Sequence, residues 1–394
     1  MHLAIVSPFP PAITGIGQYG FHTSRSLAET NVFERISIVA GAVNDHVGYV
    51  KESGLDIEYI WSLDKSDIGI KIINQLKKIK PDIVWFNLGV SAFGKSPLAN
   101  LSGFAAVRQT RQLGIPTVAT LHEVVELSDL STLRAPGGVF AKWGARLITR
   151  MAFQADVVCL TLKNYTDWLA KLDPYKKSIH IPIGSYHKPD ILSAPNTDNL
   201  LFFSTFAPFK GIEFLISAFK ELQQTEWPDL SLTLAGAEHH RFPGYAQMLM
   251  EKFSAVKNIH WLLAVPEDRV QSIFEQASIV VLPYSASTGS SSVLFQAASW
   301  GRPILASNLP ELRSAATESG LHVNFFEANN VQSLAKQLQD MLSDSPKLKN
   351  QVIHNAERIR TIQPYNTAKH YLEAFEMAFS AVGKPAQLKN WQEA

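Results

Sequence analysis

The stretch IVVLPYSASTGSSSVLFQAASWGRPILASNLPE, Ile279 to Glu311, decides how the rest of the chain is read. Ile279 to Leu282 is a short β-branched apolar run of the kind a buried parallel strand needs, and Pro283 ends it. A loop of Ser, Thr and Gly follows. Thr288, Ser290, Ser291 and Ser292 are capping residues for a helix whose apolar positions Val293, Leu294, Ala297 and Ala298 recur at helical spacing. Gly301-Arg302-Pro303 then leads into a second apolar strand. Where a strand ends in a small-residue loop at a helix start, unpaired amides and the positive end of the helix dipole face the loop and favour an anion. An ordinary strand-to-helix turn rich in capping residues would look the same in this stretch alone.

Working outward, short apolar strands alternate with helical patterns along the whole chain, which predicts a parallel α/β architecture. Strands are expected at His2 to Ser7, Ile36 to Ala40, Ile83 to Phe86, Thr117 to Leu121, Val157 to Leu160 and Ile179 to Ile181. Between Pro182 and Leu200 the periodicity lapses into PIGSYHKPDILSAPNTDN, a linker composition. The alternation restarts at Leu201 to Thr205 and continues through Leu232 to Ala235, His260 to Leu263, Ile279 to Leu282 and Pro303 to Ala306. Helices are expected near Asn330 to Leu342 and Thr367 to Val382. Two Rossmann-like lobes facing a cleft account for this pattern most economically.

A chain of 394 residues, 46% hydrophobic and 18% charged, is long enough for two cores. Its formal net charge of +1 gives no whole-protein attraction for nucleic acid. The single cysteine, Cys159, sits in an apolar run and reads as a buried, inert thiol. The N-terminus lacks the basic start and long apolar core of a signal peptide, and no apolar run approaches the roughly 18 residues of a membrane span. A cytoplasmic protein is expected.

Gln296-Ala297-Ala298-Ser299-Trp300-Gly301-Arg302-Pro303-Ile304 resembles the second half of the donor-binding signature of group 1 (family 4) retaining glycosyltransferases of GT-B fold. The family pattern has Glu, seven residues, Glu, then Ala-x-x-x-Gly-x-Pro-Val/Ile. Here Thr288 and Gln296 stand at the two acidic positions, which in the family contact the donor sugar and the ribose hydroxyls. Both can hydrogen-bond hydroxyls, but neither supplies a negative charge. Phe206-Ala207-Pro208-Phe209-Lys210-Gly211 is similar to the family's G-R-x-x-x-x-K-G element, whose Arg and Lys hold the diphosphate. Lys210 and Gly211 are kept, while Ser204 and Thr205 stand at the Gly and Arg positions. The alternative for Lys210 is a solvated surface charge.

Gly15-Ile16-Gly17-Gln18-Tyr19-Gly20 fits the dinucleotide pattern G-x-G-x-x-G letter for letter. Seven residues, Pro8 to Thr14, separate it from the first strand, and the second strand ends in Ala40-Gly41 without the expected acidic residue, so the nicotinamide reading fails. The resemblance instead implies a loop whose amides at Gly15 and Gly17 approach the donor diphosphate. His122 ends a strand at the side of an open α/β sheet where ligands gather, and the resemblance places it at the donor sugar as a catalytic residue with Lys210. A loop-capping histidine is the bland alternative. His122-Glu123-Val124-Val125-Glu126 lacks the second histidine of a zinc motif. Glu238-His239-His240 reads as either a site-lining or an ordinary exposed loop.

Arg134, Lys142, Arg146 and Arg150 stand four or eight apart, and Val139, Trp143, Leu147 and Met151 follow a similar spacing beside them. From about 138 to 151 they describe either a basic amphipathic helix that touches an anionic membrane or a surface helix with its apolar stripe in the first lobe's core. Gly137, Gly138 and Gly144 weigh toward the second.

The resemblance implies a GT-B protein with an acceptor-side domain of 1–184, joined by a C-terminal helix from 363–394, and a nucleotide-sugar domain of 185–362. It implies a retaining hexosyltransferase that needs no metal or other cofactor and moves glucose from a UDP-sugar to a sugar or lipid-linked saccharide in polysaccharide biosynthesis. Lys210, Thr205, Thr288 and Gln296, with Gly289, Ser290, Ser291, Ser292 and Val293 at the helix start, form the expected donor site. A nucleotide-sugar epimerase on the same fold and a non-catalytic sugar-nucleotide binder are the rivals.

Overall fold

The computed structural model describes residues 1–12, 14–42, 48–127, 131–133, 138–186, 189–193, 195, 197–239, 241–385 and 388. Two compact units divide the chain. The first comprises Met1–Ser128, Pro136–Tyr186 and Pro364–Ala394, the second Asp129–Ala135 and His187–Gln363. The boundaries expected from sequence put all of 1–184 in the first unit; the structure gives Asp129–Ala135 to the second.

The first unit is built on β1 (His2–Val6), β2 (Arg35–Gly41), β3 (Gly48–Glu52), β4 (Leu55–Trp61), β5 (Ile83–Leu88), β6 (Thr117–Leu121), β7 (Val157–Leu160) and β8 (Ser178–His180). Their order is β3-β4-β2-β1-β5-β6-β7-β8. All neighbours run parallel except β3, which is antiparallel to β4. β1 lies inside the sheet, so Leu3, Ala4, Ile5 and Val6 are all buried, as an unbroken apolar run requires when both faces are covered. The helix Pro364–Ala381 belongs to this unit. Its Tyr371 hydroxyl stands 2.9 Å from the Tyr19 hydroxyl and 2.7 Å from Thr120 Oγ1, and Trp85 Nε1 donates to the same threonine oxygen at 2.9 Å. This chain of buried polar groups is internally satisfied, which fixes one packing for four elements distant in sequence.

The second unit carries β9 (Asn199–Phe203), β10 (Ser231–Gly236), β11 (Ile259–Leu263), β12 (Ile279–Leu282), β13 (Ile304–Ser307) and β14 (Asn324–Phe326). The order is β11-β10-β9-β12-β13-β14, parallel throughout. In each sheet the chain order reverses beside its first strand, between β1 and β5 and between β9 and β12. Connections leave such a junction toward opposite faces and open a crevice at the carboxyl ends of the two strands.

Three strands escape the sequence pattern. β3 and β4 form a hairpin turning through Ser53 and Gly54, both at positive φ. Every residue of β3 is exposed, so no buried face marks it, and charged side chains interrupt β4. β14 spans three residues, too few to display a period.

Candidate functional site

The second unit's junction assembles two loops that sequence places more than seventy residues apart. After β9 the chain makes a short turn, Pro208–Lys210, and Gly211 then begins the helix Ile212–Gln224 in the left-handed region at φ 67°. A Cβ on Gly211 would stand 1.8 Å from Pro283 O, so only glycine lets this turn sit against the end of β12. The backbone amides of Ser285 and Ala286 donate to Phe209 O at 2.9 and 3.3 Å, locking the two loops together.

This junction places the Lys210 ammonium 3.8 Å from the centre of the Tyr284 ring and 5.8 Å from that of Phe209. Among the described residues Lys210 makes no ion pair, so its charge rests on an aromatic face. Tyr284 is buried, and its hydroxyl stands 3.2 Å from Ser291 Oγ. The helix Ser292–Ser299 starts after Ser291, an extended N-cap whose side chain makes no capping bond. That departs from the capping role expected of the serine cluster: the Ser291 hydroxyl faces Tyr284 instead. The first amides of this helix, Ser292 and Val293, therefore lack a side-chain cap.

Beside them, Ser290 Oγ and Gln296 Oε1 are buried with no hydrogen-bond partner among the described residues. Two orphaned polar atoms at one helix start are costly unless something fills them, at roughly 1–3 kcal/mol each. Thr205 and Thr288 are partly buried on the same two connections, and Gly289 is buried between Thr288 and Ser290. Ser287 Oγ donates to Gly289 O at 2.7 Å, closing the loop on itself. At the far end of the helix the buried Arg302 donates through Nη2 to Ser193 O at 2.8 Å, and burial lowers its pKa. Arg302 thus anchors the linker segment rather than a ligand.

The first unit's junction holds a separate polar cluster. Thr14 caps the helix Gly15–Glu29, its Oγ1 accepting from the Gly17 amide at 2.9 Å. One of the two glycine amides expected to approach a phosphate is thus already committed. Gly20 has another use: a Cβ there would meet Ser7 Oγ at 2.6 Å and Asn87 Nδ2 at 2.9 Å. His122, just past β6, is buried with its Nε2 2.6 Å from Asn87 Oδ1, and the Tyr19 ring packs edge-on at 4.7 Å. Burial alone pushes the His122 pKa down to about 3, so the imidazole is neutral.

Sequence reasoning passed over Tyr284 and placed Asn87 only at the start of a first-unit loop, Asn87 to Lys95, expected to face the acceptor. Each lies at or just beyond a strand's carboxyl end at a topological junction, a position that sequence reveals only once strand order is known. Of the Glu238-His239-His240 loop, Glu238 accepts from the amides of Gly244 and Ala246 at 3.1 and 3.3 Å and so braces the helix Tyr245–Lys252. His239 packs against Phe209, and His240 lies outside the described residues. Among the described residues no group of His, Cys, Asp and Glu is arranged to hold a metal ion. Cys159 is buried, and its thiol pKa is raised by that burial.

On the helix Gly138–Ala152, Trp143 is 66% and Leu147 50% exposed, whereas Ala145 and Thr149 are buried. The stripe weighed above as core packing therefore faces outward at Trp143 and Leu147. Arg146 and Arg150 approach Glu126 at 3.5 and 3.9 Å. No described helix is long and apolar enough to cross a membrane.

Two units, each a sheet of mainly parallel strands clad with helices, define a GT-B fold, and solved structures of that fold align over nearly the whole chain. Sucrose-phosphate synthase from Thermosynechococcus elongatus is 14% identical with a TM-score of 0.74, covering 97% of this chain and 100% of the other. The E. coli trehalose-6-phosphate structure bound with UDP-2-fluoro glucose is 11% identical, TM-score 0.69, covering 95% and 99%. Anabaena HepE in complex with UDP-glucose is 14% identical, TM-score 0.69, also covering 95% and 99%. No curated protein matches the sequence. Residues 187–359 match the family described as glycosyl transferases group 1. That match lies within the second unit.

Proposed function

We propose that this protein is a retaining, metal-independent glycosyltransferase that moves a hexose, with glucose the first choice, from a UDP-sugar to a saccharide or lipid-linked acceptor. One observation carries the reading: the Lys210 ammonium, paired with no carboxylate among the described residues, stands on Tyr284, whose hydroxyl contacts the N-cap serine of a helix start that also carries two buried polar atoms with no partner among those residues. Such a site suits a ligand that brings two negative phosphates and, next to them, hydroxyls. The diphosphate meets Lys210 and the Ser292 and Val293 amides, a ribose hydroxyl donates to Gln296 Oε1, and Ser290 Oγ contacts a phosphate oxygen. The structures of HepE with UDP-glucose and of the E. coli enzyme with UDP-2-fluoro glucose support the choice of nucleotide.

In the proposed reaction the bond from the anomeric carbon to the phosphate oxygen breaks. The acceptor oxygen bonds to that carbon on the same face, and its proton passes to the departing phosphate oxygen. Charge builds on the leaving diphosphate, which is where the lysine and the helix dipole stabilise it. No carboxylate is needed as nucleophile or base, in keeping with Thr288 and Gln296 at the positions where the family has glutamates. Those same two residues favour a second reading, a binding protein that holds the donor without turning it over.

Release of free UDP with the sugar recovered on an acceptor supports transfer. Tight UDP-glucose binding without UDP release supports the binder, and a changed nucleotide-sugar without net release supports an epimerase. For the lipid-linked class of acceptor, the outward Trp143 and Leu147 beside Lys142 and Arg146 support a first unit that rests on an anionic membrane at its cytoplasmic face.

A further inference from the structure

The amino ends of β6, β7 and β8, at the edge of the first unit's sheet opposite His122, hold a cluster that the proposed transfer does not use. Asp156 immediately precedes β7 and is buried. Its Oδ2 accepts from the Thr117 amide at 3.0 Å, and Arg111 Nε stands 2.8 Å from its Oδ1. Lys176 reaches the same place from the turn before β8. There the Asp173 carbonyl accepts from the Lys176 amide at 3.1 Å and the Asp173 carboxylate from the Tyr175 amide at 3.2 Å. The turn so formed sends the half-buried Lys176 side chain to donate to the Ala155 carbonyl, next to Asp156.

Both Asp156 oxygens are already occupied, and among the described residues Lys176 makes no ion pair. Its acceptor is a carbonyl, which a neutral amine satisfies as well as an ammonium does. Burial disfavours the charged form and the Arg111 guanidinium adds like-charge repulsion, so that against the pull of Asp156 and Asp173 the Lys176 pKa is lowered to about 8. At pH 7 about a tenth of such side chains carry a free lone pair, compared with roughly one in two thousand for a lysine in water.

Arg111 supplies the other half of the cluster. It lies in the last turn of the helix Pro97–Gln112, with its side chain 53% exposed, and neither Nη makes a hydrogen bond among the described residues. A guanidinium with both Nη groups open binds a phosphate through parallel N–H bonds.

We propose that Lys176 is an acylation site for acyl phosphates: the Arg111 guanidinium seats the phosphate, and the Lys176 amine takes the acyl group. The Nζ lone pair attacks the acyl carbon, and the bond from that carbon to the bridging phosphate oxygen breaks. Phosphate leaves with that electron pair, and the surplus proton on nitrogen passes to water. The resulting amide keeps one N–H for the Ala155 carbonyl and carries no charge, so burial no longer opposes it. Every residue involved belongs to the first unit, and the site does not depend on sugar transfer.

Acetyl phosphate added to the full-length protein, with acetylated peptides quantified by mass spectrometry, tests the site. At pH 7 Lys176 should be acetylated about tenfold or more faster than its exposed neighbour Lys177. The rate at Lys176 should rise with pH and level off above about 8, where the amine is already free. Inorganic phosphate at matched ionic strength should slow this reaction and leave the reaction of Lys176 with the uncharged N-hydroxysuccinimide ester of acetic acid unaltered, because only acetyl phosphate uses Arg111. In Arg111→Gln the ratio of the acetyl phosphate rate to the ester rate at Lys176 should fall about threefold or more. Taking the ratio cancels any change in the basicity of the amine.

Acetyl phosphate that labels Lys176 no faster than Lys177 overturns the proposal. So does a preference for Lys176 that inorganic phosphate does not reduce, since the amine is then reactive without a seat for the phosphate. Both results are read on the unsubstituted protein, so they decide the matter even where Arg111→Gln, which leaves Asp156 without its cation, fails to fold.

Discussion

Lys210 Nζ and the Tyr284 ring stand 3.8 Å apart, a cation held by an aromatic face where an ion pair would be the commoner solution. A carboxylate partner would neutralise the ammonium and compete with an incoming phosphate. A ring fixes its position and leaves the charge intact. Cation–π contacts contribute about 0.5–2 kcal/mol, whereas hydrogen bonds to charged groups contribute about 1.5–3 kcal/mol. The ammonium therefore gains by moving from the ring to a diphosphate.

Lys210→Ala should weaken UDP binding by about 1.5–3 kcal/mol, measured by calorimetry on protein shown to be folded. Tyr284→Phe keeps the ring and should bind nearly as the parent does. Tyr284→Leu removes the seat and should cost about 0.5–1 kcal/mol, with uridine affinity unaffected because uridine carries no phosphate. Unchanged UDP affinity in Lys210→Ala takes the lysine out of the site.

Gln296 carries a buried acceptor with no partner among the described residues. Gln296→Leu should remove that penalty and raise the stability of the ligand-free protein by about 1 kcal/mol, seen as a higher thermal midpoint. The same variant should raise the donor KM more than it lowers kcat, since the lost contact is to the nucleotide. A lower midpoint together with an unaltered KM would make Gln296 a packing residue.

If the diphosphate is met by a lysine and a helix start, transfer should persist in excess chelator. The new linkage should keep the donor's anomeric configuration, read by proton NMR of the product. Loss of transfer in chelator, restored by manganese, contradicts metal independence. Inversion leaves the donor site standing and overturns the proposed same-face chemistry.

Trp143 and Leu147 project from a helix that also carries Lys142, Arg146 and Arg150. Co-sedimentation should show binding to phosphatidylglycerol vesicles and little to phosphatidylcholine vesicles. Lys142→Glu should weaken it by at least the roughly 1 kcal/mol that each cation contributes near an anionic surface. Trp143→Ala should weaken it also by removing the apolar anchor. Equal binding of all variants would assign the face to solvent or to a protein partner.

Much of this protein was legible from local pattern. The strand from Ile279 to Leu282, the loop after it and the helix Ser292–Ser299 stand where the apolar spacing predicted them, and Lys210 opens the helix that its position announced. The exposed β3, the charge-interrupted β4 and the three-residue β14 were not legible, because periodicity marks only segments long enough and half-buried enough to show it. Alternation of strands and helices is a property of neighbouring residues, so the sequence by itself determined the α/β class and the loop-to-helix step after β12. Which side chains meet there was decided only by tertiary structure. Asn87 reaches Ser7, Ile16 and His122 because β1, β5 and β6 lie side by side, and Lys210 reaches Tyr284 because β9 lies beside β12. Parallel pairing joins strands that are remote in the chain and aligns their carboxyl ends, and no local preference encodes that register.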